Sequence, residues 1–201
     1  MKNLRRPKNR ILTRDQAHEA LKDYYDDLIK CVQNGLNLFL ELPDSLRAIS
    51  RPRTLANLLN DAIRSDAEKQ FQDDAQVSMD LGHAGALFIF DGKIAVRFKK
   101  VDADLMPRNV PTGRQHNISE QQLELPGVTI PTVVSLGYQP NIIFTEIRSV
   151  SLICRRHKTL LWQIPLVDNL QGYLFNSEGE AQPIGAPVVR PKLIRKGAPS
   201  A

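Results

Sequence analysis

The sequence predicts an α+β protein, with N-terminal helices packed on one face of a mainly antiparallel sheet of about five strands. Three observations indicate this fold class. Apolar residues recur at steps of three and four over the first third of the chain, as they do along helices. Later apolar runs alternate with polar residues and are joined by short turns, which is typical of antiparallel strands. Helices come first and strands follow, without a regular helix–strand alternation.

The composition is that of a soluble globular protein. The chain has 201 residues, of which 42% are hydrophobic and 24% charged, enough to bury a sizeable core. No apolar run approaches the ~20 residues of a membrane-spanning helix, and no signal-peptide pattern follows the basic N-terminus. We therefore expect a cytoplasmic protein without membrane contact. Cys31 and Cys154 lie far apart, and we predict that both are buried free thiols.

The net charge of +5 is concentrated at the two ends. Residues 1–14 and 188–201 contain lysines and arginines but no acid. We predict a basic N-terminal arm over residues 1–12, a single α+β domain over 13–168 and an irregular basic tail over 169–201. Such arms bind polyanions or simply keep the chain ends solvated.

Two helices are predicted at the start. Thr13 and Gln16 form a capping-box pattern ahead of an apolar stripe that runs to residue 39, with Gly35 placed to end or bend the helix. A second helix, over 50–71, has Ser50 as the predicted N-cap and a proline in its first turn. Arg51 and Arg53 gather at its start. Arginines there contact phosphates or form an ordinary solvated surface.

A tight β-hairpin is the clearest local prediction. Two apolar runs, 87–90 and 94–98, flank Asp91-Gly92, a dipeptide that tolerates the positive φ angles of a type I′ turn. The second strand alternates, so that one face is predicted to be core and the other a cationic rib. The rib and the residue that follows it contribute Arg97, Lys99 and Lys100.

The rest of the chain supplies more cations. Residues 102–117 are predicted to form a loop that carries Arg108 and Arg114, followed by a short helix over 118–125. Strands are predicted over 132–138, 142–154 and 160–164, the last ending at Pro165. The final hairpin has a cationic turn made of Arg155, Arg156, His157 and Lys158. These groups either form one positive surface or are scattered surface charges.

No pattern of known chemistry is complete. Nucleophile-elbow, phosphate-loop and dinucleotide-binding patterns are absent, and the histidines lack metal-ligand spacing, so we predict no catalytic residue, no metal and no cofactor. A divergent PD-(D/E)xK nuclease is the catalytic alternative, because Glu68, Asp91 and Arg97-x-Lys99 imitate its order. Arg97 replaces a carboxylate there, however, and Asp91 is separated from Lys99 by roughly 26 Å of strand. Glu146 is the other strand carboxylate to consider.

Four segments resemble a poorly characterised family of bacterial and phage-associated proteins. They are Leu87–Lys100, Asn109-Val-Pro-Thr112, Leu125-Pro-Gly127 and Leu136-Gly-Tyr138, and the resemblance covers roughly residues 50–165. Members of that family are encoded beside helix-turn-helix regulators fused to zinc metallopeptidases, in an arrangement similar to toxin–antitoxin or phage-defence pairs. The resemblance implies a protein partner encoded nearby and a regulatory or defence role. It implies no catalytic residue.

Together these observations predict a non-enzymatic binding component of a bacterial toxin–antitoxin or phage-defence module. Its basic surface is expected to bind nucleic acid, DNA or RNA, or an acidic protein partner. The alternatives are the divergent nuclease and a purely structural subunit of a larger complex.

Overall fold

The computed structural model describes residues 11–82, 85–107, 112–122 and 131–168. Within these ranges the chain is α+β, as predicted. The helices are α1 (Arg14–Leu21), α2 (Tyr25–Leu40), α3 (Asp44–Ile49), α4 (Pro52–Phe71) and α5 (Gly113–Ser119). The strands are β1 (Val77–Asp80), β2 (Leu87–Phe90), β3 (Ile94–Lys100), β4 (Thr132–Pro140), β5 (Ile147–Arg156) and β6 (Thr159–Asp168). None of the helices in the described ranges combines the length and apolarity needed to cross a membrane.

The predicted capping box starts α1. The Thr13 hydroxyl accepts a hydrogen bond from the Gln16 amide, and the Gln16 side chain accepts one from the Thr13 amide. A 3₁₀ turn, Lys22–Tyr24, then separates α1 from α2, so the predicted single stripe is divided between two helices. α2 continues past Gly35 to Leu40.

Gly35 marks the place where α2 and α4 touch. A Cβ atom built at this position would lie 2.5 Å from the Cα atom of Ile63 and 2.6 Å from its nitrogen. The two helix backbones therefore approach each other so closely that only glycine fits. Leu36 on α2 and Leu59 on α4 belong to the same buried core.

The start of α4 differs by one residue from the prediction. Arg51 is the N-cap and Pro52 the first helical residue, where its missing N–H costs nothing. Ser50, the predicted N-cap, instead donates its hydroxyl hydrogen to the carbonyl of Leu46 at 2.8 Å, at the end of α3. No sequence pattern predicted α3.

The described strands form one sheet in the order β1-β2-β3-β4-β5-β6. Only β3 and β4 pair in parallel, and the other four pairings are antiparallel. The sheet has six strands rather than about five, because β1 lies in a stretch predicted to be a polar connection. A parallel pair needs a crossover, and this one contains α5. Most of α5 lies in the predicted loop 102–117, and only its last two residues, Ile118 and Ser119, fall in the helix predicted over 118–125.

The sheet is covered on both faces. One face packs on α1, α2 and α4 in the main core, which includes Ile94, Val96 and Phe98 of β3. On the other face, residues of β2, β3 and β4 form a smaller apolar cluster with Ile118 of α5. The expectation that one face of β3 is a solvent-exposed cationic rib is therefore wrong, since α5 covers that face.

The hairpin between β2 and β3 is confirmed. Phe90 pairs with Ile94, and the Lys93 amide donates to the Phe90 carbonyl at 2.9 Å. Asp91 and Gly92 have φ angles of 50° and 64°, the positive values of a type I′ turn.

We expect Gly92→Val to lower the free energy of unfolding by about 1–3 kcal/mol, because a β-branched residue is strained at positive φ. Urea unfolding followed by circular dichroism measures this loss. Asp91→Asn is the control and should be nearly neutral, because asparagine tolerates the same conformation. Equal stability of Gly92→Val and the unmodified protein would contradict the turn assignment.

The last two strands, β5 and β6, extend beyond their predicted C-terminal ends. β5 and β6 form the predicted hairpin, with a turn reduced to His157 and Lys158. β6 continues through Pro165, which is tolerated because β6 is an edge strand and the pairing shifts register between Val150 and Ser151, opposite this proline. Ile142, predicted to begin β5, lies instead in the preceding loop, 88% exposed.

The segment before α1 is attached to two distant strands. The Leu12 amide donates to the Thr132 hydroxyl at 2.9 Å, and the Leu12 carbonyl accepts from Trp162 Nε1 at 2.8 Å. Ile11 and Leu12, the end of the predicted arm, thus pack against the core. Residues 1–10 and 169–201, the rest of the two predicted arms, lie outside the described residues. Cys31 and Cys154 are both buried and free, as predicted.

Candidate anion-binding cleft

Four of the predicted site residues line one cleft on the α5 face of the sheet. Its volume is about 920 Å³, and its predicted members are Arg97, Arg155, His157 and Lys158. The floor consists of buried residues of β3, β4 and β5. The walls are α5, the segment at Met106-Pro107 and the turn between β5 and β6. None of the described residues that line the cleft is acidic. The cleft is therefore a site of net positive charge.

The other predicted site residues lie elsewhere. Arg51 and Arg53 are exposed at the start of α4, on the opposite side of the sheet. Lys100 also belongs to that side, with its ammonium group 4.5 Å from the centre of the Phe144 ring. The predicted single surface is thus divided between two faces. Arg108 and the side chain of Arg114 lie outside what the structure describes.

Arg97 lies at the floor of the cleft and is buried, with 8% of its surface exposed. Its Nε donates to the Ser135 hydroxyl at 3.1 Å and its Nη1 donates to Gln115 Oε1 at 2.8 Å. Burial lowers the pKa of Arg97 to about 10, so the side chain remains charged at neutral pH. The exposed position predicted for it is wrong, because Gln115 of α5 lies over it.

Arg155 shapes the wall of the cleft. Its Nη1 donates to the carbonyls of Asp104 and Leu105 at 3.3 and 3.5 Å, and its Nη2 donates to the Lys158 carbonyl at 2.6 Å. Its Nε is buried and has no hydrogen-bond partner among the described residues. These bonds connect the loop after β3 to the last turn, so Arg155 is a structural residue rather than an exposed contact.

The neighbouring basic side chains differ in their contacts with carboxylates. His157 Nε2 contacts Glu120 Oε1, and Arg156 Nη2 lies 3.9 Å from Glu120 Oε2, so one carboxylate serves both side chains. Arg156 does not line the cleft. Lys158 is exposed and makes no ion pair within the described ranges. It is the cation at the mouth of the cleft that is most available to a ligand.

Gln121 is a buried residue of the cleft that was not among the predicted site residues. Its side chain accepts from the Val133 amide at 2.7 Å and donates to the carbonyls of Val133 and Arg155 at 2.7 and 3.0 Å. The direct pairing of β4 with β5 begins at Ser135, so at Val133 the two strands are not paired with each other. The Gln121 carboxamide fills this gap and bonds to both strands, as a peptide group of a neighbouring strand would. Nothing in the sequence marks a glutamine for this role.

Lys99 lines a smaller notch on the far side of Arg97, together with Asn60, Asp61 and Arg64 of α4. Burial, and secondarily the charge of Arg97, lower the pKa of Lys99. The notch lies beside Leu87, the first residue of β2, where the antiparallel β3 continues past its shorter neighbour. Lys99 and Arg97 share one face of β3, as predicted from its alternation, but Arg97 is buried and Lys99 is half-buried.

The nuclease constellation does not assemble. Asp91 lies in the turn before β3 and Lys99 near its opposite end. Glu68 Oε1 pairs with Arg64 Nε at 2.6 Å. Glu146 is the residue just before β5, and its Oε1 lies 4.0 Å from Arg148 Nε. Across the described ranges, no three histidine, cysteine or acidic side chains are grouped to hold a metal ion.

The chain matches no protein-family model, no curated protein and no solved structure. The chemistry of the cleft is therefore what bears on function. Its lining combines cationic nitrogen donors, hydroxyl and amide groups, and apolar residues, with Met106 and Ile118 in the walls and Val133 and Ile153 in the floor.

Proposed function

We propose that this protein is a non-enzymatic binding component that holds single-stranded nucleic acid in the cleft beside α5. The observation that carries the proposal is the grouping of Arg97, Lys158 and two histidines in a cleft with no acidic residue among its described lining. Phosphates need only cations and exposed donors, which give affinity without sequence preference.

Two features favour nucleic acid over an acidic protein as the ligand. The rings of His116 and His157 lie with their centres 6.5 Å apart at the mouth of the cleft, and histidine rings stack on unpaired bases. The apolar walls beside the cations also match the alternation of base and phosphate along a strand. An acidic peptide would use the cations but leave the ring surfaces without a partner.

The role in a toxin–antitoxin or phage-defence module stays a prediction that depends on the sequence resemblance. In that setting the protein pairs with a partner encoded nearby, and the nucleic acid is a second ligand. A structural subunit of a larger complex is the alternative. That alternative is favoured if the protein co-purifies with its neighbour but binds neither DNA nor RNA.

We expect Lys158→Ala to weaken binding of a labelled single-stranded oligonucleotide threefold to tenfold, with little change in melting temperature because the side chain is exposed. The slope of log affinity against log salt should fall by about 0.7, the value for one lost phosphate contact on a single strand. Fluorescence anisotropy across a salt series with DNA and RNA measures both quantities.

Arg53→Ala is the matched control, since it removes an exposed cation of the same chain from the opposite side of the sheet. Its affinity and salt slope should equal those of the unmodified protein. An equal loss in the two variants would place the binding surface outside the cleft. No binding at low salt by the unmodified protein would overturn the proposal.

A further inference from the structure

Arg97 is a buried charge whose described partners are all neutral. Its guanidinium donates to the Ser135 hydroxyl and the Gln115 amide oxygen, and no carboxylate among the described residues pairs with it. Buried charges are normally paired, because desolvation of an uncompensated ion is costly. The two hydrogen bonds use only two of the five N–H donors of the guanidinium. Within the described ranges, the Arg97 guanidinium therefore has both an unpaired positive charge and N–H donors left over to bind an anion.

The depth of Arg97 limits which anion can reach it. The floor of the cleft is made of residues that are almost fully covered, including Arg97, Ser135 and Ile153, whereas His116 and Lys158 at the mouth are exposed. An internal phosphodiester continues into a sugar on both sides and needs two exits. A terminal phosphate continues into one sugar only and can enter end-on. It also carries three acceptor oxygens and up to two negative charges, which match a guanidinium fork better than a diester does.

We infer that the cleft binds the phosphorylated end of a nucleic-acid strand, with Arg97 holding the terminal phosphate monoester. The inference rests on the proposed function and makes it more specific. Ser135 and Gln115 fix the plane of the guanidinium through Nε and Nη1, so that the remaining donors point in a constant direction. Lys158 and the histidines at the mouth contact the nucleotides that follow. A free nucleoside monophosphate offers the same group and competes for the same position.

The test compares single-stranded oligonucleotides of one sequence that differ only at their ends: 5′-phosphate, 3′-phosphate and two free hydroxyls. An internal fluorophore leaves both ends free for anisotropy measurements with the full chain. We expect one of the two phosphorylated forms to bind at least about tenfold tighter than the hydroxyl form. Adenosine monophosphate should compete for the bound strand at lower concentration than adenosine does.

Arg97→Gln keeps hydrogen-bonding capacity and removes the charge, so it should abolish the preference for a phosphorylated end: the phosphorylated and hydroxyl forms should bind this variant with equal affinity. If this variant does not fold, Ser135→Ala provides the same test, because loss of the orienting hydroxyl should reduce the preference at least threefold. Arg53→Ala should keep the full preference.

The outcomes separate the two proposals. Equal affinity for all three oligonucleotides would overturn recognition of the end and leave nucleic-acid binding intact. Absence of binding to every oligonucleotide would overturn both proposals. A preference that survives in Arg97→Gln and in Ser135→Ala would show that the terminal phosphate binds elsewhere.

Discussion

Replacing Gly35 by valine is expected to lower the free energy of unfolding by at least about 3 kcal/mol. The new Cβ would lie 2.5 Å from the Cα of Ile63, a backbone atom that cannot rotate away. α2 and α4 would have to separate, and the interhelical core would lose contacts on both sides of the substitution. Urea unfolding followed by circular dichroism and by the fluorescence of Trp162 measures the loss.

Gly113→Val is the matched control. A Cβ at Gly113 meets no atom within 4 Å, so the substitution should change stability by less than about 0.5 kcal/mol. Similar midpoints for the two variants would mean that α2 and α4 do not cross at Gly35.

The second large effect is expected at Gln121. Gln121→Ala leaves the amide and carbonyl of Val133 and the carbonyl of Arg155 without the partner they have now. Buried polar groups that lose their partner cost about 1–3 kcal/mol each, and water entering from the cleft recovers part of this. We expect a net loss of about 3 kcal/mol in the free energy of unfolding.

Gln122→Ala removes the same side chain from the next, exposed position and should be neutral within about 0.5 kcal/mol. Gln121→Glu adds a sharper comparison, because a carboxylate cannot donate to the two carbonyls. It should therefore be destabilised as well, and more so at high pH, where the carboxylate is charged. A stable Gln121→Ala protein would show that β4 and β5 hold together without this side chain.

Local elements were predictable where a residue type strongly favours one backbone position, such as a helix start or a tight turn. The capping residues before α1, the proline that starts α4 and the Asp91-Gly92 turn are all of this kind. β1 was missed because Val77 and Met79 alternate over only four residues, too few to stand out in a polar stretch. The break at Lys22–Tyr24 was missed because the apolar stripe continues across it.

The sequence identified several of the cationic residues that line the candidate cleft, but it did not predict how they are arranged. Arg97 and Lys158 were identified by charge, and the structure brings them to one cleft. The alternation of β3 correctly separated its two faces but does not reveal what covers the second face. That depended on a parallel pairing with β4, whose residues follow their β3 partners by 38 positions, and on α5, most of which lies in a stretch without clear periodicity. Contacts of this range leave no local pattern.

The attachment of Leu12 has a consequence for the order of folding. Its partners, Thr132 and Trp162, follow it by 120 and 150 residues. At a synthesis rate of about 5–20 residues per second, the second partner emerges from the ribosome roughly 8–30 s after the first helix. Until then β6, the strand against which α1 packs, has not been made. The contact between the N-terminal segment and β6 therefore forms late in synthesis, and chaperones can bind the incomplete chain during this interval.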